Sequence, residues 1–444
     1  MRSDDFHWGF VDDDKVLNHP ALQPQRGHKQ LGQIEAIYPG ATHTRFDHSG
    51  YGKFITHRSC DVLEKKGRLP CARNDIVQFS KLHDMGHPPF SHAVEYVLRA
   101  STDQNHHTRA LTLLDSDTKD GQGRTLKQVL EIDGCDVKNL RKLFNGDPAG
   151  KICTDKTLGA DKWAYTHMDA IRCGFDQLPP DWRGLIEHLT FYDGKLGVDL
   201  HRTNEQLEHQ VSMLCAMQNF YFRIYTEVYL SPQSMVYERH IQKALEFAIR
   251  ARVVDPHAVW DMSDGELEGH INKCQPSRGK NGQAKLAREA LLGYSRRSPY
   301  VSAVAFKYGK FTKDHLQGEK VVPITPQFGG AFLETFENPF RLTKLETALE
   351  EEFKVPMLVC VIPDAQKVKP EDVPLYEHGK LTGMLSEMVP AHYASLREMA
   401  RRFFSIRIHV QPSEREAIVR KYKAVSSFFH EITEDYFKRN SEKK

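Results

Sequence analysis

The chain has eight cysteines but no CxxC pair, so neither a zinc ribbon nor a disulfide framework is expected. The cysteines read as the reduced thiols of a cytoplasmic protein. Long apolar runs are also missing: stretches such as VPMLVCVI at 355–362 fall far short of the ~20 residues a membrane span needs, and no membrane partner is expected. The opening MRSDDFHWGFVDDD is acidic and polar, unlike a signal or transit peptide. Excess charge of one sign is absent, since 61 basic residues face 59 acidic ones for a net +2. Bulk electrostatics therefore does not impose a nucleic-acid or anionic-membrane partner. There is no internal repeat and no low-complexity block. With 444 residues, 40% hydrophobic and 27% charged, the chain is neither disordered nor short of material for a core. Its length predicts about two to three domains.

Helical periodicity fills the first two thirds. Apolar residues at 206–230 recur at helical spacing and stop at Ser231-Pro232, and 235–254 predicts a second long helix. Shorter helices are expected at 51–66, 74–84, 94–100, 265–274 and 282–294, with loops at 115–126 and 274–283. Strand signals are confined to the last third, where 355–362 and 404–410 are rich in β-branched and aromatic residues and could pair. The tail KRNSEKK is expected to fray. The fold class is therefore mainly α: a helical bundle over 1–300, then a smaller α+β lobe over 301–444.

Two segments imitate ligand loops. Gly146–Lys151 resembles a phosphate loop, but only three residues separate its glycines and Ile152 follows the lysine. Asp115–Gly121 resembles a calcium loop, but its glycine comes one position late and Leu126 stands where a bidentate glutamate is needed. The first is therefore set aside as a phosphate site, and the second is expected to be a solvated loop.

The histidines carry the chemistry. There are 23, many of them in the first quarter of the chain. In Lys81-Leu-His83-Asp84-Met-Gly-His87-Pro-Pro-Phe-Ser-His92 an adjacent His-Asp pair ends an apolar helix. Imidazole nitrogen beside carboxylate oxygen suits Fe, Mn, Zn or Ni. His87 would share a face with His83 on a continued helix, and the Pro-Pro break would re-aim His92. Upstream lies Thr44-Arg45-Phe46-Asp47-His48-Ser49. Downstream, Asp161, Tyr165 and Asp169 recur every four residues and would line one face of a helix. Taken singly, each histidine is more often a surface or core residue than a ligand; the ordered set is far more specific.

That set resembles the His…His-Asp…Asp signature of HD-domain metal phosphohydrolases. More closely, it is similar to their deoxynucleoside triphosphate triphosphohydrolase branch, which holds the bacterial dGTPases and the vertebrate SAM-and-HD-domain dNTP hydrolase. Lys29–Gly32, Tyr38–Ser49, His83–His92 and Asp161-Lys162-Trp163-x-Tyr165-x-x-x-Asp169 carry the likeness. Val236-Tyr237-Glu238 and Arg296–Tyr300 match more weakly. The similarity spans about residues 15–300, with no SAM domain expected ahead of it.

The resemblance implies that His48, His83, Asp84 and Asp161 hold one divalent transition metal (Fe, Mn, Zn or Ni), with Mg²⁺ or Mn²⁺ accompanying a substrate triphosphate. It implies hydrolysis at the α-phosphate of a dNTP, releasing deoxynucleoside and triphosphate, with Arg45 and Lys162 on the phosphates and His87 lining that side. His92 would protonate the leaving 5′-oxygen, oriented by Glu95. A second relay histidine would come from Asn105-His106-His107-Thr108; His106 is favoured and His107 left open. Gln30, Leu31, Tyr165, Asp169 and Tyr237 would pack around the deoxyribose. The resemblance further implies a homo-oligomer (dimer, tetramer or hexamer), and a role in dNTP pool control or in starving a phage. The helices over 206–254 are expected to serve as core and oligomer interface.

The chain also departs from the pattern. Tyr229–Met235 reads YLSPQSM where the vertebrate relative is arginine-rich, and Glu238 replaces a base-contacting glutamine. Two alternatives stay open: an HD phosphohydrolase acting on ribonucleotides, nucleoside mono- or diphosphates or cyclic nucleotides, and a nucleotide-sensing or weak single-strand-binding module.

Overall fold

The computed structural model describes residues 14–200, 203–273, 282–308, 318–362, 368 and 371–441. It is mainly helical, with two small four-stranded sheets. Helix α1 (Arg45–Lys65) starts at a capping box in which Thr44 and Asp47 satisfy each other's backbone N–H. It begins six residues earlier than the periodicity indicated, which places His48 on its first turn. Then come α2 (Arg73–Leu82), α3 (His92–Thr102), α4 (His106–Leu114) and α5 (Ala160–Arg172). Helix α6 (Asn204–Ile224) runs into a π-helical turn at Tyr225–Tyr229, and α7 (Pro232–Arg250) restarts behind the Ser231 cap with Pro232 at its first position. Helix α8 (Gly282–Ser295) follows a short helix at Asp264–Asn272.

Strands are not confined to the last third. β1 (Leu189–Tyr192) and β2 (Lys195–Asp199) form an antiparallel hairpin. Asp193 and Gly194 turn it at φ 47° and 72°; the Asp-Gly pair was the available signal for such a hairpin, hidden because its strands are only four and five residues long. The remaining strands are β3 (Val301–Tyr308), β4 (Lys320–Ile324), β5 (Met357–Ile362), β6 (Pro374–Glu377), β7 (Lys380–Met384) and β8 (Ser405–Val410). One sheet has the order β1-β2-β6-β7 and the other β4-β3-β8-β5. The two segments expected to pair do so, in antiparallel register from Met357↔Val410 to Ile362↔Ser405.

The first sheet draws strands from both sides of residue 300, since β2 pairs with β6 in parallel. Its apolar face continues the core of α1, α2 and α5, where Trp163, Ile55 and Ile76 meet Val373, Leu375 and Tyr393. Helices α3, α7 and α8 pack with β5 in a second core. A third core joins the β3/β8/β5 face to the C-terminal helix Tyr422–Ser441. That helix contains Lys438–Ser441, so those residues of the tail expected to fray are helical. The segment 115–125 is a loop closed by one bridge, Lys119↔Thr125; residues 274–281 of the other expected loop lie outside the described residues. No described helix is long and apolar enough to cross a membrane.

Candidate metal centre and its histidine neighbours

Three helix ends meet at one point. His48 comes from the first turn of α1, His83 caps α2 with Asp84 just beyond it, and Asp161 sits in the first turn of α5. One donor atom from each of the four lies within 4.8 Å of the others. Asp161 Oδ1 is 2.7 Å from His48 Nε2 and 3.2 Å from His83 Nε2, while Asp84 Oδ1 is 3.5 Å from His83 Nε2. His83 donates its Nδ1–H to the Ser80 carbonyl at 2.9 Å, which turns Nε2 toward the group, where a bound metal ion would displace its proton. Burial opposes ionisation of Asp161, but hydrogen bonds from His48 and His83 hold its carboxyl below the usual carboxylate range. Asp84 behaves alike, with His83, Arg45 and His87 outweighing burial. Two converging imidazole nitrogens and two carboxylates kept anionic are a mixed N/O donor set that fits a divalent transition metal.

The chain after Asp84 does not continue the helix. Phe90 and Ser91 both have φ above 50°, which is costly for non-glycine residues. Asp264, a residue the sequence did not flag, braces this turn: one carboxylate oxygen accepts from Phe90 N at 2.8 Å and the other from Lys29 N at 3.0 Å. Two backbone donors on one buried side chain thus fix the turn and the segment leading to Gln30. Burial still dominates there and raises the Asp264 carboxyl to about 6.

Past this turn lies a second cluster. Glu95, one turn into α3, accepts from His92 Nδ1 at 3.1 Å and from His106 Nδ1 at 2.8 Å, and also from the His106 backbone N–H. His106 is placed by its own helix: Asn105 and Thr108 form the capping box that starts α4, so the position after the cap faces Glu95. The His107 ring instead leans against that of His106, with centroids 4.1 Å apart and planes tilted by 40°. His87 lies flat against His106 at 4.1 Å, and its Nε2 is 3.5 Å from Asp84 Oδ1. Burial, with Arg45 and His106 nearby, pushes the His87 imidazole far below its ordinary pKa, so it is neutral. Burial opposes ionisation of Glu95, but the hydrogen bonds from His106 and His92 keep it charged.

Gly86 makes this approach possible. A Cβ there would stand 2.0 Å from the His106 carbonyl and 2.6 Å from Ala110 N, and backbone cannot yield as a side-chain tip can. Gly86→Ala is therefore expected to push α4 away and open the Glu95–His106 bond. The expected result is a loss of about 1–3 kcal/mol in a denaturant melt, the range for overpacking.

The residues expected on the substrate side divide into four groups. Arg45 is buried and committed: its Nε donates to Ser91 Oγ at 2.8 Å and NH1 to Asp84 Oδ2 at 2.5 Å. Lys162 lies in an aromatic cage. It donates to the Tyr165 hydroxyl and sits 4.0 Å over Tyr221 and 5.6 Å from Tyr225; burial pushes its ammonium down to about 7. Asp169, two turns along α5 from Asp161, accepts from His43 Nε2 at 2.7 Å and from the Tyr229 hydroxyl. Gln30 N donates to the His43 carbonyl, its Oε1 is buried without a hydrogen bond, and Leu31 packs with Ala170 and Val228. Tyr237, in contrast, belongs to the core around Phe90 and Tyr294.

His43 and Tyr229 are neighbours of the candidate site that the sequence reading missed. The 206–230 stretch, expected to serve as core and interface, also reaches the candidate site: Tyr221, Tyr225 and Tyr229, four residues apart, contact Lys162, Tyr165 and Asp169. That spacing was visible; which face it lined was not.

No protein-family model matches the chain. It is 23% identical over 393 residues to the uncharacterized protein MJ1154 of Methanocaldococcus jannaschii, covering 84% of this chain and 77% of that protein. It is 40% identical over 82 residues to the deoxynucleoside triphosphate triphosphohydrolase SAMHD1 of Bos taurus, a match of 18% of this chain that spans only 14% of the bovine protein. The fold is similar to that of a phosphohydrolase from Bacteroides thetaiotaomicron, with a TM-score of 0.62 at 16% identity over 91% of this chain and 96% of the other. These likenesses show a shared fold, and the similarity to the bovine triphosphohydrolase is confined to 82 residues of the chain.

Proposed function

We propose that the chain is a metal-dependent phosphohydrolase that converts deoxynucleoside triphosphates to deoxynucleoside and inorganic triphosphate. One observation carries the reading: the His48–His83–Asp84–Asp161 donor set stands beside a His92–Glu95–His106 bridge, with Asp84 and His87 joining the two. A divalent ion in the first group would supply Lewis-acid activation of a phosphoryl group and of the attacking water. The chain's own residues do the rest. Asp161 and Asp84 present anionic oxygens. Glu95 holds Nδ1 of both His92 and His106, which leaves their Nε2 atoms for proton delivery to the departing 5′-oxygen. Neutral His87 lines the wall between. Asp169 and Tyr165, on the same helix as Asp161, with Gln30 and Leu31 supported through His43, form the sugar side, and Lys162 is the cation nearest the phosphates. A homo-oligomer belongs to the same reading.

A second reading has its own support. Arg45 is already paired and Lys162 is caged, which leaves little free positive charge for a triphosphate. A ribonucleotide, a nucleoside mono- or diphosphate or a cyclic nucleotide would need less. The test is a product assay with each dNTP, all four together, and the four rNTPs, in Mg²⁺ and in Mn²⁺. Deoxynucleoside plus triphosphate is expected, lost in His83→Ala/Asp84→Ala. No triphosphate from any dNTP, alone or mixed, would sink the first reading. Faster turnover of rNTPs or a cyclic nucleotide would establish the second.

A further inference from the structure

The described residues contain a second group able to hold a metal ion. His87, His92, Glu95 and His106 each offer one donor atom, all within 4.8 Å of one another. The Nδ1 atoms of His92 and His106 lie 3.1 and 2.8 Å from the two Glu95 oxygens, the spacing of neighbouring ligands around one small cation as much as of hydrogen bonds. His87 is 3% exposed and its Nδ1 has no hydrogen-bond partner, so the group contains a buried donor that the protein itself does not satisfy. The His92 side chain is 65% exposed, which gives an ion a way in.

We propose that His87, His92, Glu95 and His106 form a second divalent-cation site, which takes zinc-like ions in competition with the protons of the His92–Glu95–His106 bridge. Three imidazoles and one carboxylate favour Zn²⁺, Co²⁺ or Ni²⁺ over Mg²⁺, which prefers oxygen ligands and keeps its water. The ion occupies the nitrogens that carry the bridging protons, and those protons leave to solvent, so binding weakens as pH falls. Occupancy also removes the hydrogen-bonded form that positions His92 and His106. The two clusters therefore respond oppositely: a first ion at His48–His83–Asp84–Asp161 serves hydrolysis, and a second at this site opposes it. This last consequence rests on the proposed hydrolase reading; the binding site does not.

The test counts metal. Chelator-stripped protein is titrated with Zn²⁺, and bound metal is measured by elemental analysis after gel filtration, with proton release followed in weak buffer. Wild type is expected to bind two ions per chain, the second with proton release. His92→Ala, at the exposed ligand, should weaken the second by more than about tenfold and leave the first. Asp161→Ala should do the reverse. Circular dichroism verifies that each variant is folded. One ion per chain in wild type, or two in both His92→Ala and Glu95→Gln with unchanged affinity, overturns the proposal. Either result leaves the product assay untouched, so this site and the hydrolase reading can fail separately.

Discussion

Replacing Asp161 with alanine is expected to cut affinity for the first metal ion by more than about 100-fold, beyond the 10–100-fold that outer partners of metal ligands cost, and to abolish hydrolysis with it. The carboxylate is the hub of the centre. Its Oδ1 faces Nε2 of both His48 and His83, at 2.7 and 3.2 Å, so its removal takes away one ligand and the group against which two others are set. Asp84 cannot compensate, because one of its oxygens is held by Arg45. Asp169→Asn is the control on the same helix. It disturbs the His43 and Tyr229 contacts, should leave metal content intact, and should change the ratio of kcat/KM between a deoxynucleotide and its ribonucleotide. Full metal retention in Asp161→Ala, by elemental analysis of the purified variant, would place the centre elsewhere.

The largest effect on stability is expected far from that centre. Glu346, on the helix Pro339–Phe353, is fully buried. It accepts from Arg239 Nε at 2.8 Å and NH2 at 3.0 Å, from Val359 N at 2.9 Å, and pairs with Lys243 at 3.1 Å. It thereby fastens α7 to β5. Burial opposes its charge, but Arg239 and Lys243 outweigh burial and hold the carboxyl below its ordinary range. Glu346→Ala leaves a buried guanidinium without its counter-charge, a loss of about 3–5 kcal/mol, read as a lowered midpoint in urea. Because the folded-state pKa is depressed, the stabilisation is present at neutral pH and is lost as pH falls through that pKa. Wild type should therefore lose its advantage over Glu346→Gln in acid. A variant as stable as wild type at pH 7 would show that the ion pair does no more than break even.

The sequence made the candidate ligands legible and left their meeting hidden. His83-Asp84 and Asp161 could be read as ligand candidates because residue type and order carry the chemistry. His106 was favoured over His107 by likeness alone, since its contact with Glu95 depends on where an Asn105 cap starts a helix and on a glycine that lets that helix approach. Asp264 was invisible for a related reason. Its partners are backbone N–H groups at Lys29 and Phe90, and any residue has one. Tyr229 carried a helical spacing, but Asp169 is reached from two other segments, by His43 and by Tyr229. Tyr237 went the other way: it matched a motif, yet the register of α7 turns it into the Phe90–Tyr294 core.

The parallel pairing of β2 with β6, Val198↔Leu375, has a consequence for how the chain comes into being. The layer beneath α1 and α5 is completed by Val373, Leu375, Leu385 and Tyr393, residues synthesised long after Asp161. A nascent chain that has emerged only to residue 300 holds every ligand of the first centre but presents the open edge of β2, a template for mispairing. The contact is also of high sequence separation, the kind that slows folding. Assembly of the candidate centre on a finished scaffold thus waits for the ribosome to deliver the last quarter of the protein, and cutting the chain near residue 300 would yield its four residues without the floor they stand on.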